Sequence, residues 1–231
     1  MHFRNASIAA AAAALLHAAP AAATTTVDLD FIGGAFAGGG GASTFEAINV
    51  DVAPSPPTRT GRRLAGGFEM TGDTSPLDPF VAWCLELGVS LEQGEATYHK
   101  TSIAYDEMYR VQKLFDSGYS TDLNTPGSAT AEDSAAFQAA LWEVVYDDDW
   151  DLTTGDFQAS DDSVTGIVDA ANLLLDAAEG YDDGQKWFLN EYAIDDRQDL
   201  IGASPVPAPA GVLLIGSAFG LAAWRSRRAR A

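Results

Sequence analysis

The chain has one cysteine, Cys84, so no disulfide can close within it. It has a single histidine, His99, between residues 24 and 200. Basic residues are scarce there too. Arg59, Arg62, Arg63, Lys100, Arg110, Lys113, Lys186 and Arg197 face all 33 acidic residues of the chain, a net charge of −25. A surface that negative argues against nucleic acid or anionic lipid as partners, since both are polyanions. Acidic residues are in turn missing from both ends, with none in 1–23 or 201–231. No internal repeat is present. The one glycine-rich stretch, GGAFAGGGG at 33–41, has no lysine and no following helix pattern, which excludes a phosphate loop and leaves a flexible loop. What remains is rich in core-forming residues: 47% are hydrophobic and 10% aromatic, the composition of a folded protein.

The two ends carry addresses. Arg4 followed by the apolar stretch Ala6–Leu16 and an A-x-A site at Ala21–Ala23 reads as a secretory signal peptide over 1–23. At the other end, a Pro/Ala-rich linker over 201–208 leads into an apolar segment at 209–224. That segment lies at the short limit for a bilayer-spanning helix. Arg225, Arg227, Arg228 and Arg230 follow, so 225–231 is expected on the cytoplasmic side. Val206-Pro207-Ala208-Pro209-Ala210, an apolar helix and a terminal arginine cluster together resemble the PEP-CTERM sorting signals, nearest to the VPLPA variant, with Ala208 where that variant has leucine. The resemblance implies an exosortase-type processing enzyme as partner. It also implies initial anchoring in the inner membrane and residence at the cell surface or in an exopolysaccharide matrix.

Between the ends, residues 24–200 read as one domain. Thr26–Phe31 and Thr44–Val52 alternate apolar and polar and predict strands, as do Arg63–Met70, Pro79–Leu87, Ala96–Thr101 and Lys186–Ile194. Helical spacing predicts helices over Ala104–Ser117, stopped at Gly118, and over Thr130–Asp147, with Thr130 as N-cap. A third helix is predicted over Ser160–Glu179, with Asp161 and Asp162 at its start. The order of strands, helices and strand implies an α+β domain: an antiparallel sheet or barrel with an inserted helical segment.

Cys84 sits in the apolar stretch FVAWCLELG, and the bland expectation for it is a small buried hydrophobe. The second helix, SAAFQAALWEVVYD, places Gln138 inside an apolar stripe, where its carboxamide needs hydrogen-bond partners. A thiolate held against a side-chain amide can also expel ammonia and leave a thioester, provided that proximity is enforced and water is kept out. Trp83 and Trp142 are the candidate shields. A cysteine strand followed by a helix bearing Gln138-Ala139-Ala140-Leu141-Trp142 resembles the thioester domains of bacterial surface adhesins, although Phe137 stands where that family usually has Thr or Ser. The resemblance implies an internal Cys84–Gln138 thioester that captures a nucleophile on a target surface, in a single turnover rather than as an enzyme.

Other constellations are weaker. Cys84 with His99 as base would make a cysteine hydrolase, but nothing in the sequence brings the two together. A structural or carbohydrate-binding matrix protein that keeps only the fold is the alternative of a different class. Asp147, Asp149 and Asp151 are spaced like the start of a calcium loop. Leu152 stands where that loop needs glycine, and its twelfth position lacks glutamate, so the run reads as an acidic turn. No cofactor and no metal ligand set is expected.

Overall fold

The computed structural model describes residues 25–36, 45–52, 60–72, 79–89, 92, 94–104 and 108–207. The expected signal peptide, transmembrane segment 209–224 and arginine tail lie outside these residues, as do Ala208, Pro209 and Ala210. Among the described residues no helix is long and apolar enough to cross a membrane.

Among the described residues, nine strands and three helices form a mixed α and β domain. Six strands close an antiparallel barrel in the order β1 (Thr25–Gly34), β4 (Phe68–Thr71), β5 (Phe80–Cys84), β9 (Leu200–Pro205), β8 (Trp187–Ala193) and β6 (Ala96–Ser102). The alternation in β1 sets its pitch: Val27 and Leu29 are buried, and Val27 pairs with the equally buried Tyr98 of β6. A second sheet pairs β2 (Glu46–Val52) with β3 (Gly61–Ala65) on one side and β7 (Phe157–Asp161) on the other.

The expected strand Arg63–Met70 is therefore two strands in two sheets. Gly66 and Gly67 divide it. Gly66 has φ +149°, and a Cβ on Gly67 would lie 2.8 Å from Val81 Cγ1, so the chain crosses between sheets where only glycine fits. Within the glycine-rich stretch read as flexible, Gly33 and Gly34 belong to β1, and Ala35 and Phe36 are core residues. The segment 201–205, read as linker, is β9, hydrogen-bonded on both sides within the barrel. The domain therefore runs past 200, and Val206 N–H still bonds Lys186 C=O at 2.8 Å.

The helices are α1 (Tyr109–Gly118), α2 (Ala131–Tyr146) and α3 (Ile167–Glu179). The third starts later than its sequence suggested, because Phe157–Asp161 is paid out first as β7. Asp161 still serves the helix start: its carboxylate accepts from the N–H groups of Gly166 (2.6 Å) and Val168 (2.9 Å). Thr130 caps α2 by accepting from Asp133 N–H at 3.0 Å. Almost every residue of α2 from Ser134 to Val144 is buried, as expected of a helix packed on all sides. Its run of alanines lets the barrel, the second sheet and the other two helices approach closely.

From α1, the buried carboxylate of Asp116 accepts from the N–H groups of Lys186 (2.7 Å) and Trp187 (3.0 Å), pinning the start of β8. Asp116→Ala leaves both donors without that acceptor. It is expected to lower the unfolding free energy by about 3 kcal/mol, read as a drop in urea midpoint at unchanged slope. A loss below about 1 kcal/mol would show that the start of β8 is held by other means.

Candidate functional site

β4 pairs with β5 from Met70↔Phe80 to Phe68↔Ala82. The next rung would bring Gly66 opposite Cys84, but the chain has already turned away. On the other edge Leu85 N–H bonds Asp199 C=O at 3.0 Å. In antiparallel pairing, neighbouring residues point their main-chain groups to opposite sides, so those of Cys84 face away from β9 and into the gap. Gln138 of α2 fills it. Its Oε1 accepts from Cys84 N–H at 3.0 Å, and its Nε2 donates to Cys84 C=O at 2.9 Å. A side-chain carboxamide thus stands in for the missing peptide unit of β4.

The same helix makes two further bonds of this kind. Ser134 Oγ accepts from Gly67 N–H (2.8 Å), and Tyr146 Oη accepts from Leu87 N–H (3.0 Å). Ser134, Gln138, Trp142 and Tyr146 recur every four residues, one slowly winding stripe along α2. Three of the four satisfy main-chain donors at the barrel rim, and the fourth, Trp142, does not.

Trp142 instead lines a cavity of about 320 Å³ together with Cys84, Phe31, Phe68 and Leu87. The cavity opens past Leu64, an exposed apolar side chain. Trp83 is absent from its walls. It lies on the opposite face of β5, buried against Phe137 (ring centroids 4.7 Å apart), Tyr119 and Phe36, with its Nε1–H donating to Tyr119 Oη at 3.1 Å. Of the two expected shields, Trp142 is beside the thiol and Trp83 closes the core behind the strand.

Burial pushes the Cys84 thiol well above its ordinary pKa. The charge of Glu86 adds to this, and a hydrogen bond with Gln198 opposes it. Gln198 is buried, lines the same cavity and also donates to Glu86 C=O. Sequence reasoning missed it, because RQDL at a strand start reads as polar loop. His99 is exposed on β6, and in the six-stranded ring β6 is opposite β5. The Cys84–His99 pair needed for a hydrolase is not assembled.

The acidic turn differs from its expected spacing as well. Asp151 turns its carboxylate to the N–H (2.9 Å) and hydroxyl (2.7 Å) of Thr153. Glu143, Asp147 and Asp149 are the carboxylates that converge.

Because Gln138 bonds the main chain of residue 84 rather than its thiol, the contribution survives loss of the cysteine. In a Cys84→Ala background, Gln138→Leu should cost about 2–4 kcal/mol by urea denaturation. A neutral outcome would mean that the gap beside β5 closes without it.

No family model matches the chain, and no curated protein matches it. Among solved structures, the N-terminal domain of the Streptococcus pyogenes pilus tip adhesin Cpa resembles it at 12% identity with a TM-score of 0.41. The likeness covers 72% of this chain and 96% of that domain. At that identity and score it assigns no function.

Proposed function

We propose that the domain is a surface attachment module in which Cys84 and Gln138 condense to an internal thioester that captures a nucleophile on a target surface. The observation that carries this reading is the pair of hydrogen bonds holding the Gln138 carboxamide against Cys84. They remove the rotational freedom of the amide and keep it beside the residue that bears the thiol, which is the proximity the reaction needs. The Cys84 N–H points at Oε1, the oxygen that becomes negative when sulfur adds to the amide carbon, and so serves as an oxyanion donor.

The chemistry balances. Sγ of Cys84 bonds to Cδ of Gln138, the Cδ–Nε2 bond breaks, and the thiol proton leaves on nitrogen as ammonia. Burial raises the thiol pKa and so disfavours the thiolate, which means that the proton must pass from Sγ to Nε2 as sulfur attacks. An amine or hydroxyl of the target then attacks Cδ and frees the thiol. The apolar walls at Phe31, Phe68, Leu87 and Trp142 slow hydrolysis, and the opening beside Leu64 is the approach for a nucleophile. Capture is single-turnover, so the module is not an enzyme.

Export by the segment 1–23 and processing at Val206–Ala210 by an exosortase-type enzyme would deliver the module to the cell envelope or an exopolysaccharide matrix. The unprocessed chain would be held in the inner membrane by 209–224. The strong negative charge suits a solvated outer surface and disfavours nucleic acid.

Intact mass of residues 24–207, which retain β9, tests the reading beside a Cys84→Ala variant. The parent should be lighter than its sequence mass by one ammonia and the variant should not. Methylamine should then raise the parent mass and release one titratable thiol. A parent at full sequence mass with its thiol already free would sink the covalent reading. It would leave a non-reactive structural or carbohydrate-binding matrix protein.

A further inference from the structure

Glu143 and Asp147 lie one helical turn apart at the C-terminal end of α2, and Asp149 follows two residues on. One carboxylate oxygen from each falls within 4.8 Å of the others. A helix C-terminus carries partial negative charge, so acidic side chains are unfavourable there. This end has no basic residue in its last turn, and it concentrates acids.

Glu143 sharpens the problem. It is fully buried, and among the described residues neither of its carboxylate oxygens has a hydrogen-bond partner. Ser134, Gln138 and Tyr146 answer main-chain groups; Glu143 answers none, and the side chain it faces is the carboxyl of Asp149. A buried carboxylate without partners requires either a proton or a cation. Arg110 is near enough for its charge to act on Glu143, but its terminal nitrogens donate to the carbonyl oxygens of Asp147 and Asp149 and none bonds the Glu143 carboxylate.

The neighbouring groups are arranged around the same point. The Asp147 carboxylate accepts from Phe157 N–H (2.8 Å) and Asp148 N–H (2.6 Å), which fixes its orientation. Asp149 is braced by Asp151 N–H (3.2 Å) and the Thr154 hydroxyl (3.2 Å). Gly155, at φ +80°, approaches so closely that a Cβ there would overlap Oδ2 of both Asp147 and Asp149. The two Oδ2 atoms therefore converge over a glycine that leaves them room.

We propose that Glu143, Asp147 and Asp149 form a calcium site that closes the C-terminal end of α2. The donors are all hard oxygens, which selects among calcium, magnesium and manganese and excludes thiolate- or imidazole-seeking metals. The irregular set of three carboxylates from one short stretch suits calcium, which tolerates varied geometry, better than magnesium, which demands a near-ideal octahedron. In the metal-free protein, burial, contact with the Asp149 carboxyl and the charges of Asp147 and Asp149 push Glu143 up to about 9, with Arg110 pulling the other way. The site is independent of the thioester chemistry at Cys84.

The test is thermal unfolding of the full chain after EDTA treatment, with calcium chloride added to about 1 mM and sodium chloride at matched ionic strength as control. Calcium should raise Tm by roughly 5 °C or more, and calorimetric titration should give about one ion per chain. Glu143→Gln and Asp149→Asn should each abolish the rise, while Asp182→Asn, at an exposed acid elsewhere, should keep it. In EDTA, Glu143→Gln should be at least as stable as the parent, because it removes a buried acid. If it fails to fold, Asp149→Asn, on the half-exposed loop, decides the matter. No rise in the parent would overturn the site. So would a rise that survives in both Glu143→Gln and Asp149→Asn, which would mark diffuse counterion binding to an acidic surface.

Discussion

The domain turns on one polar contact in an otherwise apolar place: the Gln138 carboxamide against the main chain of Cys84. A barrel strand that loses its neighbour partway leaves a donor and an acceptor facing the core, and a buried peptide unit must be answered. Gln138 answers both with one side chain. That requirement fixes the height of α2 against β5, and with it the positions of Ser134 against Gly67 and Tyr146 against Leu87. The crossing from the second sheet into the barrel at Gly66–Gly67 is the other half of the arrangement, because it creates the gap that α2 fills.

Much of the frame was legible in sequence. Strict alternation located the strand at Thr26–Phe31, and Thr130 as N-cap located the start of α2. Gln138 stood out as a carboxamide in an apolar stripe, and Cys84 as the only thiol. Three things were hidden, each for a physical reason. The break at Gly66–Gly67 follows from tertiary crowding by Val81, which no local pattern carries. β9 is concealed because GASP after Leu200-Ile201 is composed like a linker and becomes a strand only through the two neighbours that pair with it. β7 is hidden because Phe157 and Ala159 are its only buried positions, too short a run to set a period, and its last residues Ser160 and Asp161 fit the start of a helix.

The same holds for the polar chemistry. That Gln138 meets the backbone of residue 84, and that Gln198 reaches the cavity, depends on contacts between segments far apart in the chain. The acidic run drew attention to Asp147, Asp149 and Asp151 because they are consecutive odd positions. Glu143 belonged to the group instead, by helical periodicity, and its burial is visible only once α2 is packed. Trp83 and Trp142 looked equivalent as shields beside their respective residues. The alternation of β5 separates them, one into the core and one to the cavity.

β9 lies between β5 and β8 and leads straight to the chain's last described residues, while Leu200 at its other end is opposite Cys84. Traction applied at Pro205 and resisted at Gln138, whose carboxamide sits against Cys84, would therefore run along the strand axis, from one end of the barrel to the other. Antiparallel ladder bonds lie perpendicular to that direction. The rungs to both neighbours would be strained together in shear instead of being peeled apart singly. A module anchored by its tail and bonded to its target through Gln138 would thus carry tension along β9 and pass it to α2 at the contact between Gln138 and Cys84.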